Sequence, residues 1–440
     1  MAQLLAMLQE GHSREEIMGI MGRGKGYVSV VVARLKANLL REVINYDFKD
    51  YAEYTQRRHE VYCQFTVCMS LLRAGLKNIA VPESEKTIKN ALGIGALLPA
   101  LALALELENF YTVINDRSKY YNIKALVDEL KPEYEMQMGL LRKFSEIQFI
   151  INNGLPLGDF EKELNAIYRP GAYYRSNLYY FMSQNLVYRY RGDQTALVDS
   201  CRAALAFFSK IKTPMPNAVK WNLRRQMIPV LVQQKEYGRA EAAARQCCNE
   251  MPVGSYNWNI SLIYLALVGF HSGRPKIALE AWRQATSTKM KFKETAAIHD
   301  QWQLCRCYLS LYGLTLPGKF RIYKFINSLK VSGKDKTEGN VSVLSAHLLH
   351  LWRDGKKEAF GDLAARLPDY IKRHTLPKRS KVFFKLVGCF YQSSYHPNRY
   401  EPRIKKLLTE LQSTHTNIHT NLFKTEVIPI ESQWAMLTEN

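Results

Sequence analysis

The chain has 440 residues, 47% of them apolar, so it can bury the cores of two or three ordinary domains or of one long repeat array, and broad disorder is excluded. Lysine and arginine number 61 against 40 aspartates and glutamates, a formal charge of +21 that makes an acidic partner worth seeking. Residues 289–406 hold 24 Lys and Arg against 9 Asp and Glu, which is 15 of the 21 surplus charges; solvated helix faces or a surface for nucleic acid or acidic lipid both fit that excess.

The first 46 residues form a small helical unit. MAQLLAMLQEGHSREE lacks a basic region followed by a long apolar core, so no secretory signal is expected. Ala2 to Gln9 reads as a short helix. Ser13 can cap the next, with Glu16 as its capping-box partner and Ile17 and Ile20 facing inward. After the turn MGRGKG, Tyr27 to Val43 reads as a longer helix with Val28, Val31, Leu35 and Leu39 on one face. SREEIMGIMG followed by YVSVVVARLKANL resembles the helix-turn-helix of bacterial regulators and sigma-factor-like domains. The resemblance implies DNA contact through Arg23, Lys25, Tyr27, Ser29, Arg34 and Lys36. A helical cap that docks on the rest of the chain or dimerises is the alternative. Gly19 to Gly26 nearly spells a phosphate-binding loop, but Gly26 stands where Ser or Thr would hold magnesium and a helix precedes the loop, so that motif is rejected.

Residues 47–154 stay helical without a clean repeat. Arg57 to Ala74, Ser84 to Leu98, Pro99 to Ile114, Ser118 to Leu130 and Glu133 to Asn152 are the expected helices, with Gly75, Pro82 and Pro132 as punctuation. The apolar run Ala91 to Leu105 is too short for a bilayer and is divided by Pro99, so two buried helices meeting there are expected and a membrane span is not. Asn153-Gly154-Leu155-Pro156 is the candidate boundary.

Residues 155–416 repeat. Turns are expected at 192, 235, 273, 313 and 355, steps of about 40 residues between pairs of helical segments. The clearest pair is Asn257 to Ala285. Trp258, Leu262, Leu265, Ala266 and Gly269 line one helix, Gly273 turns the chain, Pro275 starts the return, and Ile277, Ala278, Ala281, Trp282 and Ala285 line the second. Leu265, Ala266, Gly273, Ala278, Trp282 and Ala285 resemble the packing residues of a tetratricopeptide repeat, although that family steps by about 34. The resemblance implies an all-α fold, a right-handed superhelix of stacked antiparallel helical hairpins. Lys330 to Asn340 reads as an exposed loop, and residues 417–440 as an irregular tail in which Val427-Ile428-Pro429-Ile430 is apolar enough to dock.

No catalytic constellation emerges, so a non-enzymatic protein without cofactor or metal is expected. His347 and His350 are one helical turn apart but sit among leucines and read as packed; His415 and His419 lack the glutamate of a zinc helix. The eight cysteines contain no CxxC pair and sit in apolar helical patterns, which fits reduced thiols and a cytoplasmic setting. The string Tyr168-Arg169, Tyr173-Tyr174-Arg175, Tyr179-Tyr180 and Tyr188-Arg189-Tyr190-Arg191 reads as packing residues at helical spacing, with base stacking as the alternative. Lys372, Arg373, Lys378, Arg379 and Lys381 form the first choice for a polyanion patch. The expected function is a scaffold or adaptor that binds a protein or peptide on the concave side of a helical stack. The competing expectation is a DNA-binding regulator whose repeats sense a ligand or assemble the oligomer, so nucleic acid and a second copy of the chain stay open as partners.

Overall fold

The computed structural model describes residues 7, 13–22, 24–44, 53–171, 173–211, 215–290, 296–318, 320–328, 341–414, 416, 418 and 421–439, with only the backbone for 14, 21, 25, 36–44, 296–297 and 327–328. The expected helix over 2–9, the loop over 330–340, Arg23, His415 and His419 therefore lie wholly or largely outside it, as do the side chains of Lys25 and Lys36. The described residues are all-α, with successive helices packed on one another. They divide into two compact units: Met1–Arg142 with Ile167–Tyr179 and Ile211–Pro216, and Lys143–Ala166 with Tyr180–Lys210 and Asn217–Asn440. The division falls inside a helix, upstream of the loop at 153–156.

In the first unit, α1 (Arg14–Met21) closes on a left-handed Gly22 and α2 (Lys25–Ile44) follows. The capping box forms: Ser13 Oγ accepts the Glu16 N–H at 3.2 Å, and Glu16 Oε2 accepts the Ser13 N–H at 2.6 Å. Ile17, Val28 and Leu35 are buried together with Met7. Ile20 is not an inward residue, being 54% exposed. Ile20 lies only about 60° around the helix from Ile17, but on the side turned to solvent, and Met18 on the other side of Ile17 packs against the small core.

Helices α3 (Glu53–Arg73), α4 (Lys77–Gly93), α5 (Leu97–Val113) and the 36-residue α6 (Arg117–Asn152) follow, with α3 packing on both α4 and α5. Two expected breaks do not occur, because Pro82 lies inside α4 and Pro132 inside α6. Each proline costs one backbone hydrogen bond. Around Pro82 the burial of Ala80, Val81, Ser84, Thr87 and Ile88 offsets that loss. The apolar run also breaks elsewhere than expected. Its turn is at Gly95 (φ 67°), while Pro99 is buried in the first turn of α5, where its missing N–H would have had no partner.

The chain continues through α7 (Phe160–Ile167), α8 (Tyr174–Arg191), α9 (Gln194–Lys210), α10 (Asn217–Gln233), α11 (Tyr237–Glu250), α12 (Tyr256–His271), α13 (Pro275–Ser287), α14 (Ala296–Leu311), α15 (Ile322–Ser328) and α16 (Val341–Arg353). It ends in α17 (Lys357–Ala365), α18 (Leu367–Arg373), α19 (Lys378–Gln392), α20 (Glu401–Gln412) and α21 (Ile430–Thr438). All five expected turns are left-handed: Gly192, Lys235, Gly273, Gly313 and Gly355. Gly75, Asn115, Gly154 and Ser394 have the same handedness, so turns 38 to 43 residues apart run from 75 to 394.

Helices α12 and α13 pack on one another. Leu265, Ala266, Ala278, Trp282 and Ala285 are buried, and a Cβ on Gly269 would lie 2.6 Å from the backbone nitrogen of Ala278. Only glycine permits that crossing. Neighbouring pairs are then pinned by buried indoles: Trp221 Nε1 donates to Ser261 Oγ at 2.8 Å, and Trp302 Nε1 donates to Asn259 Oδ1 at 2.9 Å. The Tyr308 hydroxyl likewise donates to the Ser342 carbonyl at 2.6 Å. These bonds join α10 to α12, α12 to α14 and α14 to α16, which makes one face of the second unit out of the first helices of successive pairs.

Candidate functional site

That face is occupied by the chain's own C-terminal segment. Apart from one 3-10 turn at Leu422–Lys424, residues 421–429 have no regular structure, so their backbone groups and that of Thr416 need partners, and side chains of four successive first helices supply several of them. On α10, Gln233 Nε2 donates to the Thr416 carbonyl at 2.6 Å. On α14, Gln301 Oε1 accepts the Leu422 N–H at 3.0 Å. On α16, Ser342 Oγ donates to the Thr425 carbonyl at 2.6 Å. On α12, His271 Nε2 lies 2.7 Å from the Glu426 carbonyl, which fixes the proton on that nitrogen. Burial lowers the pKa of His271 and keeps the ring neutral.

Apolar groups seal this strap. Leu422, Val427, Ile428, Ile430 and Leu437 are buried, and the Trp434 ring meets Phe390 of α19 at 5.9 Å. The tail therefore ends in a docked helix, α21, where an irregular segment was expected.

Its anchor is ionic. Arg379 of α19 is 5% exposed and Glu426 is 4% exposed; Nε and Nη2 of the guanidinium donate to the two oxygens of that carboxylate at 2.8 and 2.9 Å. Nη2 also reaches Glu431 at 2.8 Å, and Nη1 donates to the carbonyls of Leu411 and Thr414 at 2.7 and 3.0 Å. All five N–H groups are thereby used. Burial works against the charge of Arg379, but the hydrogen bonds to Glu426 and Glu431 outweigh it and raise the pKa. Arg379 is thus absent from the basic surface, where Lys372, Arg373 and Lys378 are exposed and Lys381 half-buried. Adjacency in sequence to Lys378 and Lys381 hid this role.

A cavity of about 320 Å³ adjoins the strap at Ile418, walled by α8, α10 and α12. Arg189, Arg225, Gln226 and Tyr264 line it. Arg189 belongs to the aromatic and basic string, most of which packs as expected: the Tyr168 hydroxyl donates to Asn177 Oδ1 at 2.7 Å, Tyr188 to Glu161 at 3.1 Å, and Tyr174 is buried. Arg225 carries no signal in the sequence at all.

The other expected site residues are scattered. Tyr27 is 52% exposed and Val30 50% exposed on α2, Arg34 is exposed and Ser29 half-buried. His350 is buried, with Nε2 at 3.0 Å from the Cys307 carbonyl, and burial lowers its pKa to about 4. His347 packs edge-on against Tyr323. Among the described residues no cluster of three or more His, Cys, Asp or Glu could hold a metal ion. All eight cysteines are free thiols, and burial pushes Cys201, Cys247, Cys248 and Cys307 up to about 12, far from a reactive thiolate. Among the described residues no helix is long and apolar enough to cross a membrane. Comparison with family models, with curated proteins and with solved structures gives no match to the chain.

Proposed function

We propose that this is a tetratricopeptide-like helical-repeat scaffold that binds an extended peptide of a partner protein along the face made by α10, α12, α14 and α16. The observation that carries the reading is the strap. The face already holds a segment of largely irregular backbone through side chains that address backbone groups, a mode that fixes a peptide's path while leaving much of its sequence free. The strap then competes with the partner, so a ligand must displace it or extend beyond it. Peptides selected from a display library against the full chain test this. Expected is slowed hydrogen exchange on α10 to α16 and faster exchange over 422–437 as the strap leaves. Selected peptides that protect other surfaces, or no selection at all, refute it.

A second reading is favoured by the surface of α2. Tyr27, Val30 and Arg34 are exposed on the helix that would enter a major groove, and a capped helix precedes it. In that reading the N-terminal unit contacts DNA. Binding of the full chain to duplex DNA should weaken steeply with salt, and alanine at Arg23, Lys25, Arg34 and Lys36 should flatten the salt slope. An unchanged slope removes it.

A further inference from the structure

Two guanidinium groups, those of Arg189 and Arg225, line the cavity next to the strap, and among the described residues no carboxylate pairs with either. Arg189 Nη2 donates to Gln226 Oε1 at 2.6 Å, and Arg225 Nη2 donates to Asn222 Oδ1 at 3.0 Å. The Arg225 guanidinium also lies 5.0 Å from the Trp221 ring centre, and its Nε is buried without a partner. Arg189 is exposed and Arg225 half-buried; partial desolvation, and next the charge of Arg225, lowers the pKa of Arg189. Asp193 lines the same cavity, with Oδ1 taken by the Ala196 N–H at 3.0 Å.

Further along the strap, the guanidinium of Arg379 on α19 has drawn two of its carboxylates, Glu426 and Glu431. The paired guanidiniums near Ile418 have none. A planar, multiply donating group beside an unneutralised twin matches a carboxylate, because one carboxylate can take N–H groups from both and cancel their repulsion.

We infer that the cavity walled by α8, α10 and α12 is a carboxylate subsite, in which Arg189 and Arg225 clamp an acidic side chain of a partner peptide lying along this face, with the Tyr264 hydroxyl and Gln226 orienting the pair. The inference rests on the peptide-binding reading above. It adds what that reading lacks, a chemical preference: the partner carries Glu or Asp where its chain passes the end of the strap. At about 320 Å³ the cavity has room for a carboxylate with its methylene stem and accompanying water.

Fluorescence anisotropy of a fluorescein-labelled deca-glutamate peptide with the full chain tests it. Arg189→Gln with Arg225→Gln should weaken binding at least tenfold, the deca-glutamine peptide should not bind, and Lys372→Gln with Arg373→Gln should change affinity less than twofold. Arg189→Lys with Arg225→Lys keeps both charges and should still lose about threefold, so a folding defect in the glutamine pair does not leave the question open. Equal losses from the two glutamine pairs would show general charge attraction and overturn the subsite, as would absence of binding. Displacement of the peptide by millimolar inorganic phosphate would assign the cavity to free anions and overturn it too. Should library-selected peptides protect α10 to α16 while the arginine variants bind as the parent does, the subsite alone has failed; protection elsewhere means the groove reading has failed.

Discussion

Replacing Arg379 by methionine is the sharpest perturbation available. Methionine fills much of the side-chain volume but offers no donor, so the Glu426 carboxylate, 4% exposed, is left with the Ile430 N–H at 2.9 Å as its remaining hydrogen bond. Breaking a buried ion pair from one side costs about 3–5 kcal/mol, most of it the penalty of an uncompensated charge. That is comparable to a large share of a domain's net stability, yet the strap can escape by undocking into water. The expected outcome is therefore local: amides of 422–438 should exchange at least a hundredfold faster, since about 3 kcal/mol corresponds to that factor at room temperature. Glu426→Gln should cost less, about 1–3 kcal/mol, because Arg379 keeps Glu431 and two carbonyls. The double variant should be milder than the sum of the singles by 1 kcal/mol or more. Exchange in the strap that stays within threefold of the parent in Arg379→Met, or strict additivity of the pair, would refute the anchoring argument.

Three other outcomes are expected. Gly269→Ala should destabilise the α12–α13 pair by about 1–3 kcal/mol in urea unfolding, because the new methyl meets the backbone of Ala278. Lys235→Gly should stabilise by up to about 1 kcal/mol, since Lys235 holds φ 60° at a turn where its neighbours in the series use glycine. Stability should also fall on mild acidification. His350 titrates near 4 when folded and near 6.5 when unfolded, so the unfolded chain binds more protons between those values; stability is full above pH 6.5 and is lost as pH falls toward 4. The loss from pH 7 to pH 5 is about 2 kcal/mol by urea titration and should shrink in His350→Gln.

Much of the architecture was legible because one type of residue marks it. Glycine announces a left-handed turn, and Gly192, Gly273, Gly313 and Gly355 gave the repeat spacing. Other turns were hidden by the same logic. Asn115 and Ser394 adopt the conformation without advertising it, and Pro82 and Pro132 suggested breaks inside helices that packing holds together. The site was less legible. Gln233 meets residue 416 across 183 positions and His271 meets Glu426 across 155, and no periodicity carries information over such distances. Arg379 was misplaced for a local reason: two lysines beside it suggested a surface, while the helix turned it inward.

The strap also alters how the second unit comes into being. Consecutive helices of the second unit pack on one another, so they can settle in the order of translation. The strap is made after all the helices it bridges and ties α10 to α19 in a single step. The open face is consequently the nascent state, and its closure sets a delay between the assembly of the stack and the moment at which its exposed apolar groups are withdrawn from water.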